Sequence, residues 1–195
     1  MANVTPLALD ETGELQPLLE SVARSFGFIP NSMLTMARQP AILRGFSMLA
    51  GATLGPGSVD RQVKQLVALI ASTSGQCRYC QAHTSDQAVR AGTPAEKLAA
   101  VYDFETSALF SDAERAALRL ARDGALVPNA TTAGEFETLR AHFSEAQIVE
   151  IVAVISLFGF LNRWNDTMAT TLEEEPFQFA VANLAQFGWE AGKHR

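Results

Sequence analysis

Gln65-Leu66-Val67-Ala68-Leu69-Ile70-Ala71-Ser72, followed after a short break by Cys77-Arg78-Tyr79-Cys80-Gln81-Ala82-His83-Thr84, is the stretch on which the reading of this chain turns. Val59, Val63, Leu66, Val67 and Ile70 recur at helical spacing, while Gln65, Leu69 and Ser72 fall on a second face of the same helix. Such a helix has two sides to bury. Gly75 interrupts it, Cys77 opens the next helix, and Gly92 suits a left-handed cap at the end of that one. The pair reads as a helical hairpin, about residues 58–92, with the chain's two cysteines at its turn.

Outward from this hairpin, helix signals recur and strand signals do not. Thr93-Pro94-Ala95-Glu96, Ser111-Asp112-Ala113-Glu114, Thr132-Ala133-Gly134-Glu135 and Ser144-Glu145-Ala146-Gln147 each offer a capping hydroxyl with a Glu or Gln three residues on. Ala117, Leu118 and Ala121, then Ile148, Ile151, Val152 and Ile155, continue two of these starts at helical period. An all-α protein with short loops follows, a single domain over residues 1–195. Glu150-Ile151-Val152-Ala153-Val154-Ile155-Ser156-Leu157 repeats the pattern of Gln65–Ser72 at an offset of 85 residues. That offset predicts a second, thiol-free hairpin at about 144–175, with Asn162 opposite Cys77, Asn165 opposite Cys80 and Met168 opposite His83.

Composition excludes several classes. With 195 residues, 48 % of them apolar, the chain can bury a full core, so disorder is not its main state. A charged fraction of only 18 % leaves apolar surface for another subunit to cover. The net charge of −6 comes without a basic stripe, which argues against nucleic acid. Met1 to Leu15 carries Asp10, Glu11 and Glu14 and shows no secretory pattern, and Gly45 to Val59, the longest uncharged run, is too short and too rich in Gly and Pro to span a bilayer. A cytoplasmic protein without a membrane partner is expected.

In a reducing compartment, two cysteines three apart point to redox or metal chemistry. Cys77, Cys80 and His83 would share one side of a helix, within about 120° of arc. A helix start at Cys77 favours thiolate, and a thiol pKa below about 8.5 is expected. Oxidation of one thiolate by a peroxide to a sulfenic acid, attack by the second thiol, and reduction of the disulfide by an external dithiol is the chemistry such a pair supports. His83 can take or stabilise the proton, which makes Cys80 the attacking candidate and Cys77 the resolver.

Ser25-Phe26-Gly27-Phe28-Ile29-Pro30-Asn31, Gln39-Pro40-Ala41-Ile42-Leu43, the helix of Leu66 to Ser72 and the segment Cys77 to Thr84 resemble the carboxymuconolactone decarboxylase-like family, and more narrowly its alkylhydroperoxidase D-like, peroxidase-related branch. The likeness runs from about residue 20 to about 175. It implies an all-helical alkylhydroperoxidase D-like fold, a homo-oligomer (dimer, trimer or hexamer), and a thiol peroxidase or disulfide reductase that uses neither metal nor flavin. A hydroperoxide and an external dithiol would be its partners. The family usually places a Glu, as outer member of a proton relay, where this chain has Gln65. An amide can orient water or His83 but cannot act as the base. A redox sensor with weakened turnover, and a lactone decarboxylase, are the alternatives.

Blander readings stand beside these. The cysteines could be small buried apolar residues, or with His83 and His142 could hold zinc. Tyr79 could bond a peroxide oxygen or simply pack. Arg163-Trp164-Asn165-Asp166 invites a binding-site reading, and a buried ion pair or hydrogen-bond network across a subunit interface explains it equally well; Glu173-Glu174-Glu175 before Pro176 reads as a solvated helix end, with an acidic interaction patch as the alternative.

Overall fold

The computed structural model describes residues 2–195. Among them the chain forms ten α-helices with short 3-10 turns and no strand. The centre is α4 (Arg61–Ser74), buried continuously from Lys64 to Ser72, as the two-sided pattern requires. It packs against α5 (Arg78–Arg90), α7 (Asp112–Gly124) and α9 (Glu145–Met168), and α10 (Glu174–Leu184) covers α5 from the other side. Leu66, Leu69, Leu118, Ile151 and Val154 fill the space between these helices. A second, smaller core joins α1 (Gln16–Phe26), α2 (Asn31–Met36) and α3 (Pro40–Leu54) through Leu15, Leu19, Met36 and Leu43. Leu161 of α9 touches both cores.

Three predicted capping boxes are present: Ser111 with Glu114, Thr132 with Glu135, and Ser144 with Gln147. The fourth is not. Helix α6 (Ala95–Ala99) takes Pro94 as its N-cap, one residue later than expected, and the buried Thr93 hydroxyl has no partner. The predicted second hairpin also differs. Residues 145–168 form one unbroken helix, because Phe160 and Leu161 stand where Gly75 and Gln76 break the first segment. The turn comes instead at Ala169, which ends α9 in the left-handed region with φ 47°. Helix α9 is long and apolar enough to cross a membrane by length and composition, a feature that the uncharged run Gly45–Val59 did not reveal. In this fold one of its faces lies in the core against α3, α4, α5 and α7, while Val149, Val152 and Phe160 stay exposed.

One buried charge fixes a loop. Lys64, 1 % exposed, forms an ion pair with Glu150 and donates to the carbonyls of Thr53 and Gly55 at 3.0 and 2.8 Å. The other Glu150 oxygen accepts from the Ser58 amide, the Ser58 hydroxyl and the Val59 amide. Gly57 passes so close that a Cβ there would lie 1.8 Å from Glu150 Oε1. Burial works to raise the Glu150 carboxyl, but Lys64 and the Ser58 donors more than reverse this, leaving it lowered to about 2. A carboxyl lowered on folding contributes stability that is whole above its ordinary value of 4.5 and is lost as pH falls through about 2. Lys64→Met strands Glu150 and is expected to cost about 3 kcal/mol at pH 7, with a smaller cost near pH 2. Urea melts at the two pH values check this; an equal loss at both would contradict the role of the ion pair.

Candidate functional site

The break between α4 and α5 places the thiols. Gly75 is needed there because a Cβ would meet Asn162 Nδ2 at 2.4 Å and Ala71 O at 3.2 Å. Gln76 then takes φ 55°, and Cys77 becomes the N-cap of α5, its Sγ accepting from the Cys80 amide at 3.3 Å. Both cysteines are free and buried. Cys80 stands in the first turn of the helix and lines a cavity of about 890 Å³; Cys77 lies behind it and does not. The cavity separates the α1–α3 layer from α4, α5 and α9, with Val22, Phe26, Met33, Phe46 and Phe158 among its walls. The segment 54–61, pinned by Lys64 and Glu150, forms another wall.

His83 sits one turn beyond Cys80 and also lines the cavity. Its Nε2 lies 2.6 Å from Glu173 Oε2, and its ring stacks on Tyr79 with centroids 4.2 Å apart and meets Phe28 edge-on. Glu173 Oε1 accepts from the Tyr79 hydroxyl at 2.8 Å and from the Asn31 amide. Burial works to raise this carboxyl, yet the charge and hydrogen bond of His83 and the Asn31 amide outweigh it, so Glu173 is held ionised below its usual range. Burial and the neighbouring Glu173 charge push the Tyr79 phenol well up. The arrangement is a carboxylate–imidazole couple in a largely apolar setting, fit to orient the ring and to balance a positive charge on it.

The structure therefore brings Cys77, Cys80, His83, Gln65 and Tyr79 to one place, and corrects three expectations about them. First, Glu173 rather than Gln65 is the partner of His83; Gln65 is buried on α4 and lines the cavity. Glu173 is no solvated helix end but the N-cap of α10, facing inward while Glu174 and Glu175 face out. Second, of the two readings of Tyr79 packing holds: it lines the cavity and its ring stacks on His83, while its hydroxyl is spent on Glu173. Third, the Cys80 thiol is not lowered: burial first, then adjacent Cys77, push it well above an ordinary thiol. The helix-end amide meets Cys77 Sγ instead.

One further residue completes the site. Asn165 of α9 donates from Nδ2 to Cys80 Sγ at 3.4 Å, and this matches the offset that set it opposite Cys80. Thr171 O accepts from Asn31 Nδ2, and the Leu172 amide donates to His194 O, so the loop carrying Glu173 is held from both sides. Glu150 does not reach the thiols; Lys64 holds it elsewhere.

This chain belongs to the carboxymuconolactone decarboxylase family, with the alkylhydroperoxidase D-like helical fold. The family model matches residues 40–123, which include α4, the thiols and His83. The uncharacterized protein YnjA of Escherichia coli is 30 % identical over 146 residues, covering 74 % of this chain and 80 % of YnjA. A crystal structure of a cysteine-to-alanine variant of the debrominase Bmp8, in complex with 2,3,4-tribromopyrrole, superposes with a TM-score of 0.86 at 32 % identity, over 92 % of this chain and 96 % of that one. An uncharacterized peroxidase-related protein from Ralstonia eutropha, described as an alkylhydroperoxidase AhpD core, shares the fold with a TM-score of 0.80 at 22 % identity, over 90 % of this chain and 94 % of that one.

Proposed function

We propose that this protein is a thiol-dependent peroxidase that reduces an apolar organic hydroperoxide and is recycled by an external dithiol. The single observation that carries the reading is that Cys80 lines a mostly apolar cavity that Cys77 does not, with Cys77 Sγ on the Cys80 amide and the His83–Glu173 couple one turn on. His83 takes the Cys80 proton, and the thiolate attacks the outer peroxide oxygen. The O–O bond breaks, an S–O bond forms, and His83 returns its proton to the departing alkoxide. Cys77 then attacks Cys80 Sγ; the S–O bond breaks, the departing hydroxide takes the proton that the Cys77 thiol gives up, and a disulfide and water result. A dithiol such as dihydrolipoamide or thioredoxin restores both thiols, as a reducing cytoplasm requires.

Reductive dehalogenation is a second reading, favoured by the likeness to Bmp8 and by a cavity of aromatic size. Its balance is the same: a carbon–halogen bond and two thiols give a carbon–hydrogen bond, a disulfide and a hydrogen halide. A sensor without turnover loses its motive, since Glu173 supplies the carboxylate that Gln65 cannot. A lactone decarboxylase leaves the thiol pair without a task.

The exposed side chains of Met48, Val127 and Val149 support a homo-oligomer, which light scattering checks. For the activity itself, wild-type protein with dihydrolipoamide is offered cumene hydroperoxide in one vessel and 2,3,4-tribromopyrrole in another. Peroxide loss without bromide release is expected. Bromide release alone would transfer the assignment to dehalogenation, and neither would sink both readings.

A further inference from the structure

The carboxamide of Asn165 is half bonded at the reacting sulfur. One polar atom, Nδ2, donates to Cys80 Sγ; the other, Oδ1, has no partner, although the residue is only 1 % exposed and lines the cavity. A dry amide acceptor is costly to leave unmade, and such positions ask for an explanation. Asn162, one turn earlier on α9, also has a bare Oδ1, but its Nδ2 is engaged with the Ala71 carbonyl, away from the sulfurs. At Asn165, by contrast, Nδ2 lies 3.4 Å from the sulfur that is to be oxidised, and the unpartnered Oδ1 belongs to the same amide. That amide oxygen is an unsatisfied acceptor, able to take a hydrogen bond from an oxygen newly bonded to Cys80 Sγ.

We propose that Asn165 is the residue that holds oxidised Cys80: its N–H steadies the sulfur before reaction, and its carbonyl accepts the O–H of the sulfenic acid once the S–O bond has formed. The proposal rests on the peroxidase reading above. An acceptor on that hydroxyl favours the protonated acid over the sulfenate. The sulfenate is the nucleophilic form that attacks a second peroxide, so the hydrogen bond guards against sulfinic acid while Cys77 approaches Sγ. Asn165 also has a part before oxidation. Burial, Cys77 and Asp166 all oppose the Cys80 thiolate, and the Asn165 amide favours it.

The test uses full-length Cys77→Ser, in which the sulfenic acid has no resolving thiol. One equivalent of cumene hydroperoxide should add one oxygen atom to Cys80, seen by intact mass and trapped by dimedone. Introducing Asn165→Ala should speed conversion to the two-oxygen species by about tenfold when more peroxide is added, the scale of one net hydrogen bond. Asn165→Asp, which keeps an acceptor and lacks the donor, should slow the first addition yet leave the sulfenic acid long-lived. Asn165→Ser replaces the alanine variant if that does not fold. A sulfenic acid equally durable with and without Asn165 overturns the proposal alone. No oxygen added to Cys77→Ser by any hydroperoxide overturns the peroxidase reading and the proposal together.

Discussion

Serine at position 80 is expected to stop peroxide consumption, with the rate falling by at least about a thousandfold, because a neutral hydroxyl is a far weaker nucleophile than a thiolate. Cys77→Ser should behave differently. Only Cys80 lines the cavity, so the first oxidation remains available without Cys77, and the protein should show one equivalent of peroxide lost and then silence. Stopped-flow measurement of the first turnover beside steady-state assay separates the two. The reverse pattern, with a surviving burst in Cys80→Ser and none in Cys77→Ser, would exchange the roles of the sulfurs. The high ionisation point of Cys80 does not conflict with the attacking role proposed for it. On the peroxidase reading, burial that opposes the free thiolate also strips it of water, and His83 is the group proposed to take the proton as the sulfur reacts.

Glu173→Gln should lower kcat/KM by about a hundredfold, the lower end of what a positioned general acid–base contributes. The amide preserves shape and can still meet His83, but it cannot balance the charge that the ring acquires with the Cys80 proton. Glu173→Ala would add a structural loss, since Tyr79 and the Asn31 amide also lean on that carboxylate. The glutamine variant is therefore the cleaner probe. Gln65→Glu supplies the contrast: if Glu173 is the working carboxylate, restoring the family's usual residue at position 65 changes the rate less than twofold. A large gain from Gln65→Glu, with little loss from Glu173→Gln, would return the relay to α4.

The thiols and their helix were legible in the sequence because every signal there is local. Gly75, the N-cap Cys77 and Gly92 lie within one hairpin, and three capping boxes each close over four residues. Glu173 was not legible: it lies 90 residues from His83, and three acidic residues before a proline look alike until α10 folds over α5. Thr93 misled because a capping hydroxyl and Pro94 compete for the same helix start, and Pro94 took it. The offset that aligned Glu150 with Gln65 caught Asn165 correctly but predicted a break in α9 that Phe160 and Leu161 do not make. Periodicity finds faces; it does not say which distant face arrives.

On the peroxidase reading, the mostly apolar chamber that Cys80 lines would sort its oxidants. Hydrogen peroxide must shed most of its hydration to enter walls of Phe26, Phe46 and Phe158, whereas each methylene of an oily hydroperoxide gains about 0.8 kcal/mol on the same journey. Ranking of oxidants by this molecule should thus follow their partition between oil and water more closely than their intrinsic reactivity, and a lipid-derived peroxide should outcompete a more abundant, more reactive, water-loving one.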